Sequence, residues 1–232
     1  VQQRRIVITG VNRGLGRQLA KRFVERGHRV WGTSRNGDAP RGVMSCAHLD
    51  LRNEASIIDA AHYLGQETDG IDLLINSAGA DARSFGSFEA DRGPFDFDAA
   101  TFNAVLDVNV TGPMLVTRHL LPLLKNGSSP MIVNVSSQLG SMQVAARKGR
   151  DTAYCVSKAA LNMLSVKSAA ALHDDGVGVV MLHPGWITTD MGGPSAPLDV
   201  EETSSTIAST IEALTIADSG RFVRWDGHDH PW

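Results

Sequence analysis

The sequence predicts an α/β protein: a parallel sheet of about seven strands with helices on both faces. Three observations predict it. Short, β-branched apolar runs alternate along the chain with stretches of helical period. The runs are almost continuously apolar, as strands covered on both faces are. A glycine-rich turn stands between the first run and the first helical stretch. Strands that alternate with helices give a doubly wound sheet.

Arg5–Thr9 (RIVIT) reads as the first strand, stopped by Gly10. Leu15, Leu19 and Phe23 follow at helical spacing, with Ala20 and Val24 beside them, and form one apolar face. Gly27 is placed to end that helix. Residues 28–33 and 44–49 read as the second and third strands. Ile57, Ala61 and Leu64 mark a helix, with Asn53 as its N-cap. Residues 71–75 read as a strand, 99–124 as one long helix, and Met131–Val135 as a strand. An alanine-rich helix over 152–172, a strand over 177–182 and a last strand over 222–225 complete the series. Three segments read as loops: 80–98, with five acidic residues (Asp81, Glu89, Asp91, Asp96 and Asp98), 138–151 and 192–199. On such a sheet the ligand crevice lies at the carboxyl ends of the strands.

With 232 residues and no linker, repeat or charge block, the expectation is one domain over 1–232. The net charge of −3 argues against a protein that lives on phosphate backbone contacts. No apolar run reaches the roughly 18 residues of a membrane span. Val1-Gln2-Gln3-Arg4-Arg5 has no apolar core of the secretory kind. Cys46 and Cys155 make no disulfide framework and read as reduced thiols. The expectation is therefore a cytoplasmic protein that meets neither nucleic acid nor membrane.

Gly10-Val11-Asn12-Arg13-Gly14-Leu15-Gly16 fits a phosphate-binding turn. Glycines let a pyrophosphate approach the backbone, and the helix start adds free N–H groups and a positive dipole end. A Rossmann-type sheet is the fold that places such a turn there. The spacing is Gly-x-x-x-Gly-x-Gly, and with it the chain resembles the short-chain dehydrogenase/reductase superfamily, in its single-domain branch. Asn76-Ser77-Ala78-Gly79, Ser136-Ser137, Tyr154-Cys155-Val156-Ser157-Lys158 and Pro184-Gly185-Trp186-Ile187-Thr188-Thr189 match the family's further segments in order. Ser77 departs from the commoner Asn. Within the family the chain is most similar to C-factor/sniffer-like carbonyl reductases, through His183-Pro184-Gly185-Trp186, Met191-Gly192-Gly193 and the ending 217–232.

Tyr154 and Lys158 are four residues apart on a helix and leave the same face. An adjacent ammonium favours the phenolate and would lower the tyrosine pKa, making a usable acid/base. The resemblance makes Ser137 the hydroxyl that binds the substrate oxygen. Ser136 competes, and Ser137 is preferred because Gly140 follows it by three, as in the family. It makes Asn109 the fourth catalytic residue. Pro113, four residues on, has no N–H, so the Asn109 carbonyl loses its helical donor. The segment between Ser137 and Tyr154 is longer than the family's usual one, and the extra residues fall near Arg147-Lys148-Gly149-Arg150. That insertion either shapes the pocket mouth or is solvated.

The resemblance further implies cofactor contacts at Gly10, Asn12, Arg13, Gly14, Leu15 and Gly16, at Asp50 and Leu51 near the adenine, and at Asn76, Ala78 and Gly79. It implies others at Tyr154 and Lys158 and at Pro184, Gly185, Ile187 and Thr189. The second strand gives way to Ser34-Arg35 where an enzyme that takes NAD would carry a carboxylate for the ribose 2′-OH. Arg35 and Arg13 can instead pair with a 2′-phosphate, so NADP(H) is the expected cofactor. No metal site is expected, and His228 and His230 read as tail residues. The expected function is NADP(H)-dependent interconversion of a carbonyl compound and its alcohol. The alternative is an NADP-binding signalling or regulatory protein with little catalysis. By resemblance, the 99–124 and 152–172 helices pack against a second subunit, giving a homodimer or homotetramer.

Overall fold

The computed structural model describes residues 2–86, 93–96, 98–146 and 149–232. Seven parallel strands form one sheet: β1 (Arg5–Thr9), β2 (Arg29–Ser34), β3 (Cys46–His48), β4 (Leu73–Asn76), β5 (Met131–Val135), β6 (Gly178–His183) and β7 (Phe222–Arg224). Their order is β3-β2-β1-β4-β5-β6-β7. The order reverses between β1 and β4, and there a crevice opens at the strand ends. In register, Val7 lies between Trp31 of β2 and Leu74 of β4.

Side chains alternate across the sheet and build two cores. Ile6 and Ile8 point to one face, with Leu73, Ile75, Val133 and Val180. That face is covered by α1 (Gly14–Glu25) through Leu19 and Phe23, and by α7 (Val200–Ala213) through Ile207 and Ile211. Val7, Leu74, Ile132 and Val179 point to the other. There α2 (Glu54–Glu67) supplies Ile57 and Leu64, and α4 (Gly112–Lys125) supplies Leu115, Leu120 and Leu124. Also on the chain are α3 (Ala99–Leu106), α5 (Met142–Ala145) and α6 (Thr152–Ala171). Asn53 caps α2, its Oδ1 accepting the N–H groups of Ala55 (3.0 Å) and Ser56 (3.4 Å). Gly27, at φ +83°, closes α1 by donating to the Val24 carbonyl.

The structure departs from the sequence reading in several places. The 99–124 helix is not uniform, because Asp107–Thr111 widens into a π turn in which the Gly112 N–H reaches back five residues to Asp107. Helix α7 lies where no element is expected. Residues 138–151 are not all loop, since α5 and a single turn over Gln138–Gly140 fall inside them. Of the expected features, Glu89 and Asp91 of the acidic loop and Arg147-Lys148 of the insertion lie outside the described residues.

One buried charge anchors the amino-terminal side of the sheet. Asp72 is 5% exposed, and it accepts the Arg5 backbone N–H (2.7 Å), the Arg5 guanidinium (2.9 Å) and the Ser128 N–H (2.7 Å). Burial alone would raise its pKa, but those donors outweigh it and hold the carboxyl below the usual range. The carboxylate therefore stabilises the fold above its unfolded pKa of about 3.9, and loses that contribution as pH falls through the lower folded value. Asp72→Ala leaves the Arg5 and Ser128 amides unpaired and takes from the Arg5 guanidinium the buried one of its two carboxylates, the exposed Asp69 (2.7 Å) remaining, and is expected to cost about 2–3 kcal/mol. The urea midpoint at neutral pH measures this. An unchanged midpoint would remove the anchor.

Candidate active site

The crevice begins with the turn after β1. Gly10 sits at φ +76° and Gly14 at φ +55°. The Gly10 and Val11 N–H groups donate to the Thr33 carbonyl (2.8 and 3.1 Å), tying the turn to β2. On the other side the Thr9 hydroxyl accepts the Ser77 and Ala78 N–H groups, both at 3.1 Å. That fastens the Asn76–Gly79 segment beneath the turn. Gly16 faces the Gly10 carbonyl so closely that a Cβ would stand 2.3 Å from that oxygen. Arg13 starts α1 in extended backbone without a side-chain cap. The helical ladder begins with the Arg17 N–H on the Arg13 carbonyl, leaving the Gly14, Leu15 and Gly16 amides ahead of it. Leu15 packs on the core and Asn12 offers its carbonyl to Arg17.

β2 ends on buried Ser34, whose hydroxyl is 3.4 Å from the Cys46 thiol. Arg35 next to it is exposed and has no partner among the described residues. Arg13 instead meets Asp190 across the crevice at 3.2 Å, with both side chains largely in solvent. Asp50 caps its own turn by accepting the Arg52 N–H (3.0 Å). Leu51 is buried under Gly112. The Asn76 side chain is turned into the sheet, donating to Asn134 Oδ1 at 2.8 Å, so only its backbone can face the crevice.

Beyond β5 lies the second half of the site. Ser137 begins the turn Gln138–Gly140, its Oγ accepting the Leu139 N–H at 3.1 Å. Ser136 points the other way, buried, and donates to Asn162 Oδ1 at 2.6 Å. Asn162 Nδ2 in turn donates to the Gly140 carbonyl (3.3 Å), fixing the turn. Gly140 admits α6 at contact, since a Cβ would stand 2.8 Å from the Lys158 carbonyl carbon. Ser137, rather than Ser136, thus lies on the Tyr154 side of the turn, where its hydroxyl favours the phenolate.

Tyr154 and Lys158 leave one face of α6, with the Lys158 Nζ 5.6 Å from the tyrosine ring centroid. The buried ammonium donates to the Val135 carbonyl at 2.8 Å. The tyrosine pKa is not lowered as the sequence reading expects. Burial pushes it up to about 12, opposed in part by Ser137 and reinforced by the Asp81 carboxylate. Burial brings Lys158 down to about 8. In this chain alone Tyr154 is therefore a protonated phenol at neutral pH.

Asn109 lies fully buried inside the π turn. Its amide donates to the Ala80 carbonyl (2.7 Å) and to Ser157 Oγ (2.9 Å), and its Oδ1 accepts the Ala80 N–H (2.9 Å). Its own carbonyl has no donor four residues on, because Pro113 is there. Gly79 keeps the space open, since a Cβ would come within 3.3 Å of Asn109 Oδ1 and 3.7 Å of the Lys158 Nζ.

The loop after β6 closes the crevice. Gly185, at φ +86°, reverses the chain after Pro184. Ile187 is buried and pairs with Leu198. Thr189 accepts the Gly192 N–H (3.0 Å), and its methyl lies opposite Gly14. Trp186, half exposed, is held by its Nε1 donating to the Gly192 carbonyl (2.8 Å).

Four residues join the site that the sequence reading does not assign to it. Asp81 caps a single turn (Ala82–Phe85) and pairs with Arg83 at 2.6 Å. Arg83 reaches the Met191 carbonyl at 2.6 Å and so joins the loops after β4 and β6. Asp190 is the partner of Arg13 described above. The signal for Asp81 is in the sequence, as the capping pattern Asp81-x-x-Ser84. Asn162 is also legible, one helical turn beyond Lys158 on the same face.

Residues 4–197 match the family model of the short chain dehydrogenases. C-signal of Myxococcus xanthus is 36% identical over 167 residues, 71% of this chain and 95% of that protein. The NADPH-bound carbonyl reductase from chicken fatty liver superposes with a TM-score of 0.88 at 27% identity, over 100% of both chains. Carbonyl reductase Sniffer of D. melanogaster does so with a TM-score of 0.88 at 29% identity, again over 100% of both.

Proposed function

The chain belongs to the short chain dehydrogenase family, and on that premise we propose that it reduces a small-molecule carbonyl with NADPH, Tyr154 giving the proton. The family and its NADPH-bound relative make the protein an NADP(H)-dependent oxidoreductase. The residues fit that cofactor. A Cβ at Gly16 would fill the cradle beneath the turn, the first amides of α1 face it, and Arg35 stands unpaired beside a strand end that carries no carboxylate.

The observation that carries the reading is the meeting of Ser137, Tyr154 and Lys158 beside Asn109, above Gly79. When bound, NADPH supplies a hydride to the carbonyl carbon. Ser137 uses its oxygen to accept the Leu139 N–H, so its proton is free to turn to the carbonyl oxygen and stabilise developing charge there. Tyr154, held protonated by burial, donates its proton to the same oxygen. The Lys158 ammonium stabilises the phenolate left behind. The Asn109 carbonyl, which has Pro113 in place of a donor four residues on, would hold a water that returns the proton. Thr189, whose methyl faces Gly14, would offer its hydroxyl to the nicotinamide carboxamide.

C-signal keeps a signalling reading in view, but a protein that only bound NADP(H) would not need Ser137, Tyr154 and Lys158 together. Incubation with NADPH deuterated at nicotinamide C4 and a mixture of aldehydes, ketones and quinones tests the proposal. Mass spectrometry is expected to find one deuterium in an alcohol product. Unlabelled mixtures beside intact NADPH, with the protein shown to bind it, would refute the reductase.

A further inference from the structure

His183 ends β6 and is 7% exposed, and it enters none of the steps above. Its Nδ1 accepts two backbone N–H groups, from Gln138 at 3.1 Å and from Gly185 at 3.3 Å. Gln138 follows Ser137 at once, and Gly185 is the hinge of the turn that leads to Ile187 and Thr189. One nitrogen thus joins the loop that carries the Ser137 hydroxyl to the loop that carries Ile187 and Thr189. These loops leave neighbouring strands, and among the described residues no other hydrogen bond joins Gln138 to the Pro184–Gly185 turn.

Backbone amides only donate, so the atom that receives both must carry a lone pair. The ring is therefore the neutral tautomer with its proton on Nε2, fixed here by geometry. The groups around it keep it neutral. The His230 ring packs against it, tilted, at 5.0 Å between centroids, and is itself packed on Phe222. Burial, then His230 and Arg224, push the His183 pKa down to about 4, against a smaller opposite pull from Asp226.

We propose that His183 is a positioning residue: its Nδ1 sets the Ser137 turn against the Pro184–Thr189 loop, and so the spacing between the substrate oxygen and the cofactor. The step it serves is sensitive to such spacing, because a displacement near 1 Å at a reacting centre can cost about 100-fold. The proposal rests on the reductase reading, and the test separates the two.

Two amide variants isolate the acceptor. His183→Asn keeps an oxygen at the position of Nδ1, whereas His183→Gln moves it one bond further out. Both remain polar and neutral, so burial and charge are matched. In the NADPH-bound protein, amide hydrogen exchange at Gln138 and Gly185 is expected to match wild type in the Asn variant. In the Gln variant it is expected to quicken at both sites by about 10-fold or more. On a carbonyl that wild type reduces, kcat is expected to fall about 10–100-fold for Gln and to stay within about threefold for Asn, with the NADPH Kd little changed in either. Equal exchange in the two variants, or altered exchange with equal kcat, would overturn the positioning role. If wild type reduces no carbonyl, the reductase reading falls, and the exchange measurement still decides whether His183 anchors both loops.

Discussion

Tyr154→Phe is expected to lower carbonyl reduction by about 100- to 10,000-fold while leaving NADPH binding intact. The substitution removes one oxygen and keeps the ring beside the Lys158 ammonium. The remaining hydroxyl, Ser137, can polarise the carbonyl but has no ammonium beneath it to hold a negative charge. The pH profile follows from the same pair. Tyr154, pushed up to about 12, stays protonated through the neutral range and is poised as an acid, which suits reduction. Lys158, brought down to about 8, is charged below that pH and neutral above it. Reduction is therefore expected to hold level through neutral pH and to decline as pH rises past about 8, where the phenolate loses its support. Initial rates under saturating NADPH check both points. A Phe variant as fast as wild type would remove Tyr154 from the chemistry.

Preference for NADPH over NADH is expected to collapse in the Arg13→Ala/Arg35→Ala protein. A charge-assisted bond to a phosphate contributes about 1.5–3 kcal/mol, so losing two lowers NADPH affinity by about 100-fold or more. NADH, which lacks the 2′-phosphate, is expected to bind as before. The two arginines are not equal. Arg35 has no partner among the described residues, whereas Arg13 is shared with Asp190 at 3.2 Å. Arg35→Ala alone is thus expected to account for most of the change. Titration of each variant with both cofactors decides it, and an unchanged ratio would contradict the assignment.

Much of the fold is legible in the sequence. The strand runs and the glycine turn carry their own periodicity and spacing, and each strand stands within a few residues of its expected place. Helix α7 was not legible. Its buried positions, Thr203, Ser204, Ile207, Ala208 and Ile211, have helical spacing, but two of them are hydroxyl residues and blur the apolar stripe. The π turn was hidden for a different reason. Pro113 announces a lost bond at Asn109, but how the ladder recovers depends on packing against Ala80 and Ser157. The paired serines could be ranked only by the position of Gly140. The structure separates them physically, by giving Ser136 to Asn162. The direction of the tyrosine pKa is not legible, because pairing with Lys158 shows as a four-residue spacing, whereas burial does not. His183 follows the same rule: its neighbours in sequence suggest a turn, and only the folded chain brings Gln138 to it.

The most direct test of the account follows NADPH absorbance while the protein meets a broad set of aldehydes, ketones and quinones, with Tyr154→Phe alongside. The account predicts that wild type forms one alcohol for each NADPH consumed, and that the Phe variant binds NADPH but barely turns over. NADPH bound by both proteins with no carbonyl reduced by either, or equal turnover by the two, would contradict it.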